Sequence, residues 1–135
     1  MNVVDASVWV SLFVASDVHH AATRAWLAAC VYAGTPIVAP SIVLAEIAGA
    51  VARRTGLGAD GDAAVRLATA LPGMRLINID RRLATHAAAL AAALRLRGAD
   101  AVYVALADLL GVPLATWDAK QVERAGGRVP TTLPA

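Results

Sequence analysis

Asn2-Val3-Val4-Asp5-Ala6-Ser7 decides the fold: a wholly apolar run too short for a helix meets an acid and then a helix-competent segment. Asn2 to Val4 reads as a buried strand. From Ser7, a candidate N-cap, a compact helix runs to Ala15. The same alternation recurs downstream. His19 to Ala33 is helical by the spacing of Trp26, Leu27 and Val31 and ends at Gly34-Thr35-Pro36, after which Ile37-Val38-Ala39 is a second strand. Pro40 to Thr55 reads as a helix with proline in its first turn, Asp60 to Leu71 as another stopped by Pro72-Gly73, and Met74 to Ile79 as a third strand.

Asp80 to Arg97 reads as one long helix, with an acid at its start, arginines in its last turn and Gly98 as its terminating glycine. Asp100 to Leu110 is a further helix ended by Gly111. Val112 to Thr116 supplies a fourth strand, Asp118 to Ala125 a short helix, and Arg128-Val129 a fifth, edge strand. Short apolar strands separated by helices imply a mainly parallel sheet of four to five strands covered on both faces, a doubly wound α/β fold. With no internal repeat, linker or low-complexity segment, the expectation is one domain over residues 1–135.

Composition narrows the function classes. One cysteine, Cys30, in an apolar run excludes an internal disulfide framework and a cysteine-built zinc cluster. The N-terminus carries an acid where a secretory leader is hydrophobic, so the expected compartment is the cytoplasm. Ala25 to Ala45 is uncharged, but Gly34, Pro36 and Pro40 break it into helix, turn and strand rather than a membrane span. The net charge of +2 tolerates a polyanionic partner without establishing one.

Four acids carry the chemistry. Asp5 closes the first strand and Asp118 follows the fourth, and ligands in such folds bind at the carboxyl ends of the strands where the winding reverses. Each could equally cap the helix behind it. Glu46 lies among Ile42, Val43, Gly49 and Ala50 on its helix, so its carboxylate leaves a small apolar face and needs a partner, either a metal or a salt bridge to Arg53 or Arg54. Asp100 opens a strongly apolar helix, where an N-cap is the ordinary explanation. Asp108, eight residues on, lies about 12 Å farther along and is assigned to solvent or a subunit contact. If the four acids converge, their repulsion demands protons or cations, and an all-oxygen donor set selects Mg²⁺ or Mn²⁺ over zinc.

The ordered pieces Val3-Val4-Asp5-Ala6-Ser7, Pro40-Ser41-Ile42-Val43-Leu44-Ala45-Glu46, Gly98-Ala99-Asp100-Ala101 and Thr116-Trp117-Asp118 resemble the PIN-domain family, especially the VapC-type toxins of bacterial toxin-antitoxin pairs. The resemblance covers nearly the whole chain. It implies a three-layer α/β/α domain, a homodimer, and an acidic pocket holding Mg²⁺ or Mn²⁺ that cuts RNA as an endoribonuclease. It further implies Asp5, Glu46, Asp100 and Asp118 as catalytic, metal-binding acids with the Ser7 and Thr116 hydroxyls beside them. A cognate antitoxin is also implied; the apolar side chains on the two helices from Pro40 to Leu71 could provide its groove, or serve equally as a dimer or core face. Trp117 is bulky where relatives often carry a smaller residue.

Other motifs yield less. Adjacent helical residues point about 100° apart, so His19 and His20 cannot grip one ion from a regular helix, and His86 reads as structural or exposed. Gly56-Leu57-Gly58-Ala59-Asp60-Gly61 formally matches a dinucleotide fingerprint but follows a helix rather than a strand, so no nucleotide cofactor is expected. The pairs Arg53-Arg54, Arg81-Arg82 and Arg95/Arg97 serve either RNA phosphates or solvated helix ends. Two rival classes stay open: a non-catalytic PIN-like module that binds RNA or protein, and an aspartyl-phosphate protein of receiver or phosphatase type.

Overall fold

The computed structural model describes residues 1–135. Five strands, β1 (Asn2–Val4), β2 (Ile37–Pro40), β3 (Met74–Ile77), β4 (Leu114–Ala115) and β5 (Thr131–Thr132), form one sheet in the order β3-β2-β1-β4-β5. Every pairing is parallel. The strands can be short and apolar because helices cover both faces and no edge of the central three meets water. β1 and β2 are almost wholly buried, and only the edge strands β3 and β5 carry exposed positions.

The helices are α1 (Ala6–Phe13), α2 (His20–Tyr32), α3 (Val43–Thr55), α4 (Gly58–Ala70), α5 (Arg81–Leu94), α6 (Gly98–Leu110) and α7 (Ala119–Ala125). The chain winds from β1 outward to β3, then crosses back over the sheet to β4, so right-handed crossovers put α1–α4 on one face and α5–α7 on the other. α6 lies directly against β1, β2 and β4. Its small buried side chains, Ala101, Ala105 and Ala107, let it approach the sheet closely. No helix is long and apolar enough to cross a membrane.

Several local expectations are corrected. Pro40 ends β2, in register with Ile77, instead of opening α3, and as the last strand residue it has no ladder N–H to lose. Asp5, not Ser7, caps α1. The helix expected from Asp80 to Arg97 stops at Leu94, where Arg95 turns left-handed at φ 56° and its carbonyl accepts a bond from the Arg124 guanidinium. Gly98 therefore opens α6 instead of ending α5. The last strand is Thr131–Thr132, while Val129 of the expected edge strand is a buried core residue.

Of the glycines from Gly56 to Gly61, Gly61, inside α4, has a packing role. At Gly61 a Cβ would sit 2.4 Å from the Ala48 carbonyl oxygen, so the absent side chain is what lets α4 lie against α3. Asp108, partly exposed, is bonded within the chain: Arg128 donates to it through Nε and Nη2, and His86 Nε2 lies 2.6 Å from Oδ2. Those bonds hold the Asp108 carboxyl below the usual aspartate range, the Arg128 contribution foremost and burial opposing it.

Candidate active site

Because β1 neighbours β4, the winding reverses between them, and the two strands deliver Asp5 and Thr116 side by side. Asp5 leaves β1 extended, at φ −69° and ψ 154°, and is only 5% exposed. Its Oδ2 accepts the Ser7 backbone N–H at 3.1 Å and the fully buried Thr116 hydroxyl at 3.1 Å. Thr116 Oγ1 accepts the Asp118 N–H, and Ser7 Oγ accepts the Trp117 N–H, each at 3.0 Å. The two hydroxyls, 3.4 Å apart, thus tie the loop after β4 to the start of α1. Burial raises the Asp5 carboxyl above its usual range, the Ser7 and Thr116 bonds oppose that, and the nearby Asp100 charge adds to it.

Glu46 stands in the first turn of α3, across from α6. Its partner is neither Arg53 nor Arg54. The hydroxyl of Tyr103, whose ring is fully buried, donates to Glu46 Oε1 at 2.7 Å. Partial burial pushes the Glu46 carboxyl up, the Tyr103 bond pulls it down, and the charges of Asp5 and Asp100 push it up again. Tyr103 itself is driven above its normal range by burial and then by Glu46.

Asp100 lies inside the first turn of α6 and is not its cap, a position taken by Arg97. The exposed Arg97 side chain donates through Nε to Asp100 Oδ2 at 3.1 Å and brings Nη2 to 3.9 Å from Asp118 Oδ2. Asp118 caps α7, its Oδ1 accepting the N–H groups of Lys120 and Gln121. The structure therefore couples Asp5, Glu46 and Asp100 electrostatically and joins Asp118 to them through Arg97. No three acid, histidine or cysteine side chains stand in a ready-made ligating cluster. The donor chemistry nevertheless suits a hard divalent cation: the mutually repelling carboxylates offer only oxygen, and Glu46 and Asp5 have no cation bonded to them directly.

Two cavities meet at Asp118. One, about 430 Å³, includes Glu46, Asp118, Arg53, His19 and Trp117 in its lining. The other, about 330 Å³, includes Arg97, Asp100, Lys120 and Gln121. Gln121 is buried with neither amide atom paired to protein.

Sequence reasoning missed Tyr103 and Arg97. Tyr103 was findable, since a lone hydroxyl in an aliphatic run three residues after Asp100 shares its helix face. Arg97 was hidden by reading Gly98 as a helix end.

A parallel sheet with carboxylates gathered at its winding reversal defines a class of α/β proteins whose site is built from strand-end acids. Residues 3–127 match the PIN domain, and the chain belongs to the PIN domain family. Among solved structures, VapC20 of Mycobacterium tuberculosis, a sarcin-ricin loop cleaving toxin, is 21% identical with a TM-score of 0.73, covering 91% of this chain and 94% of its own. VapBC2 of Rickettsia felis, bound to a DNA fragment from its promoter, is 14% identical with a TM-score of 0.75, covering 98% and 97%. A toxin-antitoxin complex from Klebsiella pneumoniae is 20% identical with a TM-score of 0.68, covering 100% and 98%. No curated protein sequence matches significantly.

Proposed function

We propose that the chain is a Mg²⁺- or Mn²⁺-dependent endoribonuclease, the toxin of a toxin-antitoxin pair, with Asp5, Glu46, Asp100 and Asp118 as its metal-site acids. The observation that carries this is the coupling of Asp5, Glu46 and Asp100 at the β1/β4 reversal, two of them with raised pKa, in a chain of the PIN family. A divalent cation held by these acids would lower the pKa of a water and neutralise charge building on a phosphodiester.

The chain's own groups do the rest. Thr116 and Ser7 fix the Asp5 carboxylate, Tyr103 aims Glu46, and Arg97 balances Asp100 and Asp118 while no ion is held. In-line attack by water on the phosphorus with departure of the 3′-oxygen would leave 5′-phosphate and 3′-hydroxyl ends and needs no protein nucleophile. Each of the three solved relatives above is a toxin or a toxin-antitoxin assembly, which supports an antitoxin partner and action in the cytoplasm, with the homodimer of the family. An apolar cavity lined by Leu12, Leu27, Val31, Tyr32 and Leu71 offers that partner a second surface beside the helices between Pro40 and Leu71.

The test is cleavage of structured and single-stranded transcripts by purified protein in Mg²⁺, Mn²⁺ or chelator. Cutting should require the metal, and Asp5→Asn should lose more than about a hundred-fold in rate. Equal cutting in chelator, or by the folded variant, contradicts the proposal.

A further inference from the structure

The cavity beside Glu46 has a wall that the acids do not use. On it His19 and Trp117 lie face to face, ring centroids 3.9 Å apart and planes 7° from parallel. Both rings are half-buried, Trp117 packing in part against the hydrophobic core. Each is fixed from behind. The Trp117 indole N–H donates to Thr23 Oγ1 at 2.9 Å, and Thr23 shares a 2.7 Å bond with Ser11 in the buried interior. The His19 backbone N–H donates to Asp17 Oδ1, whose other oxygen is gripped by Arg54. Burial disfavours the Asp17 charge, but the Arg54 and His19 bonds outweigh it and hold the carboxyl below its usual range.

Arg53 lines the same cavity with no such partner. Its guanidinium folds back along α3 over Gly49, where a Cβ would stand 3.1 Å from Nη1. The arginine pair is thus divided: Arg54 is consumed in holding the aromatic wall, and Arg53 is a free fork of donors beside it. A preordered π-surface next to an unpaired guanidinium matches the two halves of a nucleotide, base and phosphate. The volume, about 430 Å³, is that of a ligand site, and Glu46 and Asp118 at its border make it continuous with the acids.

We infer that this cavity is the subsite for the nucleotide next to the scissile phosphate, its base extending the His19–Trp117 stack and its phosphate held by Arg53. The inference rests on the ribonuclease reading and adds the group that selects which RNA position enters. His19, Trp117 and Arg53 are substrate-binding residues here, and Asp17, Arg54 and Thr23 position them.

The test uses short fluorescein-labelled single-stranded RNA oligomers, titrated in Mg²⁺ with protein carrying Asp5→Asn to prevent cutting. His19→Ala and Trp117→Ala should each weaken binding about ten-fold, and Trp117→Phe, which keeps a ring, by less than about three-fold. Arg53→Gln should weaken binding and reduce the slope of log Kd against log salt by about one. Quenching of tryptophan emission by RNA should vanish in Trp117→Phe. With Asp5 restored, the aromatic variants should shift or broaden the set of cleaved positions. Trp117→Ala loses the Thr23 bond and can destabilise the loop, so His19→Ala and Arg53→Gln, checked by thermal melting, decide the matter. Unchanged affinity in both overturns the subsite while leaving the nuclease reading intact if the parent cuts RNA. A parent that never cuts RNA, yet binds it through His19 and Trp117, overturns the nuclease reading and keeps the subsite. A parent that neither binds nor cuts RNA overturns both.

Discussion

Replacing Asp5 by asparagine should stabilise the metal-free protein even as it abolishes activity. Asp5 is 5% exposed and faces the charges of Asp100 and Glu46. A unit-charge pair at roughly 6 Å repels by about 3 kcal/mol at an effective dielectric of 20, and burial adds to the penalty. The bonds from Ser7 and Thr116 are each stronger to a charged oxygen than to a neutral one by about 1 kcal/mol, which offsets about 2 kcal/mol of it. An asparagine oxygen can accept the same two bonds without the charge. The net gain is about 1–2 kcal/mol, or roughly 3–8 °C in melting temperature.

The pH dependence follows from the raised carboxyl. Below the ordinary aspartate value of 3.8 the group is protonated in both folded and unfolded chains and costs nothing. As pH rises past that value the unfolded chain ionises first while the folded chain keeps its proton, so stability falls until pH passes the raised folded value. Differential scanning calorimetry in chelator should therefore show Asp5→Asn melting above the parent at pH 7.5, with the gap closing near pH 4. Adding Mn²⁺ at pH 7.5 should raise the parent's melting temperature and not the variant's. A variant that melts at or below the parent at neutral pH, or a gap that persists at pH 4, refutes this account of the buried charge.

Tyr103→Phe keeps the buried ring and removes the bond to Glu46, worth roughly 1–2 kcal/mol, so the Glu46 carboxyl should move further up and the pH midpoint of Mn²⁺ binding with it; an unmoved midpoint in a paramagnetic relaxation titration counts against the assignment. Gly61→Ala forces a Cβ to within 2.4 Å of the Ala48 carbonyl oxygen and should cost about 1–3 kcal/mol as α3 and α4 separate, read as a lower urea midpoint; an unchanged midpoint means that contact does not set the packing. Asp108→Asn should cost about 1 kcal/mol or less at neutral pH through the lost Arg128 and His86 bonds. Because the Asp108 carboxyl is depressed, that stabilisation is present above 3.8 and disappears as pH falls through the folded value, so urea midpoints of parent and variant should converge in acid.

The alternation of strand and helix was legible in the sequence because burial on both faces is a local property: Val3-Val4 and Ile37-Val38-Ala39 have no polar side to show water. Asp5 was legible as a strand-end acid, and the apolar neighbours of Glu46 already demanded a partner for it. Which partner was not legible. Tyr103 and Glu46 are 57 positions apart and meet only because α6 and α3 come together at the same end of the sheet. Turn chemistry failed where tertiary bonds overrode propensity: Arg95 takes the left-handed turn that a glycine would ordinarily occupy, its carbonyl held by Arg124, and Gly98 is freed to open a helix. Sequence alone thus determined the layers and the acids available, since these depend on residue type and local period. Tertiary structure alone decided that β1 lies against β4, that Arg97 bridges Asp100 and Asp118, and that His19 stacks on Trp117, because crossover order and long-range bonds leave no mark in any single segment.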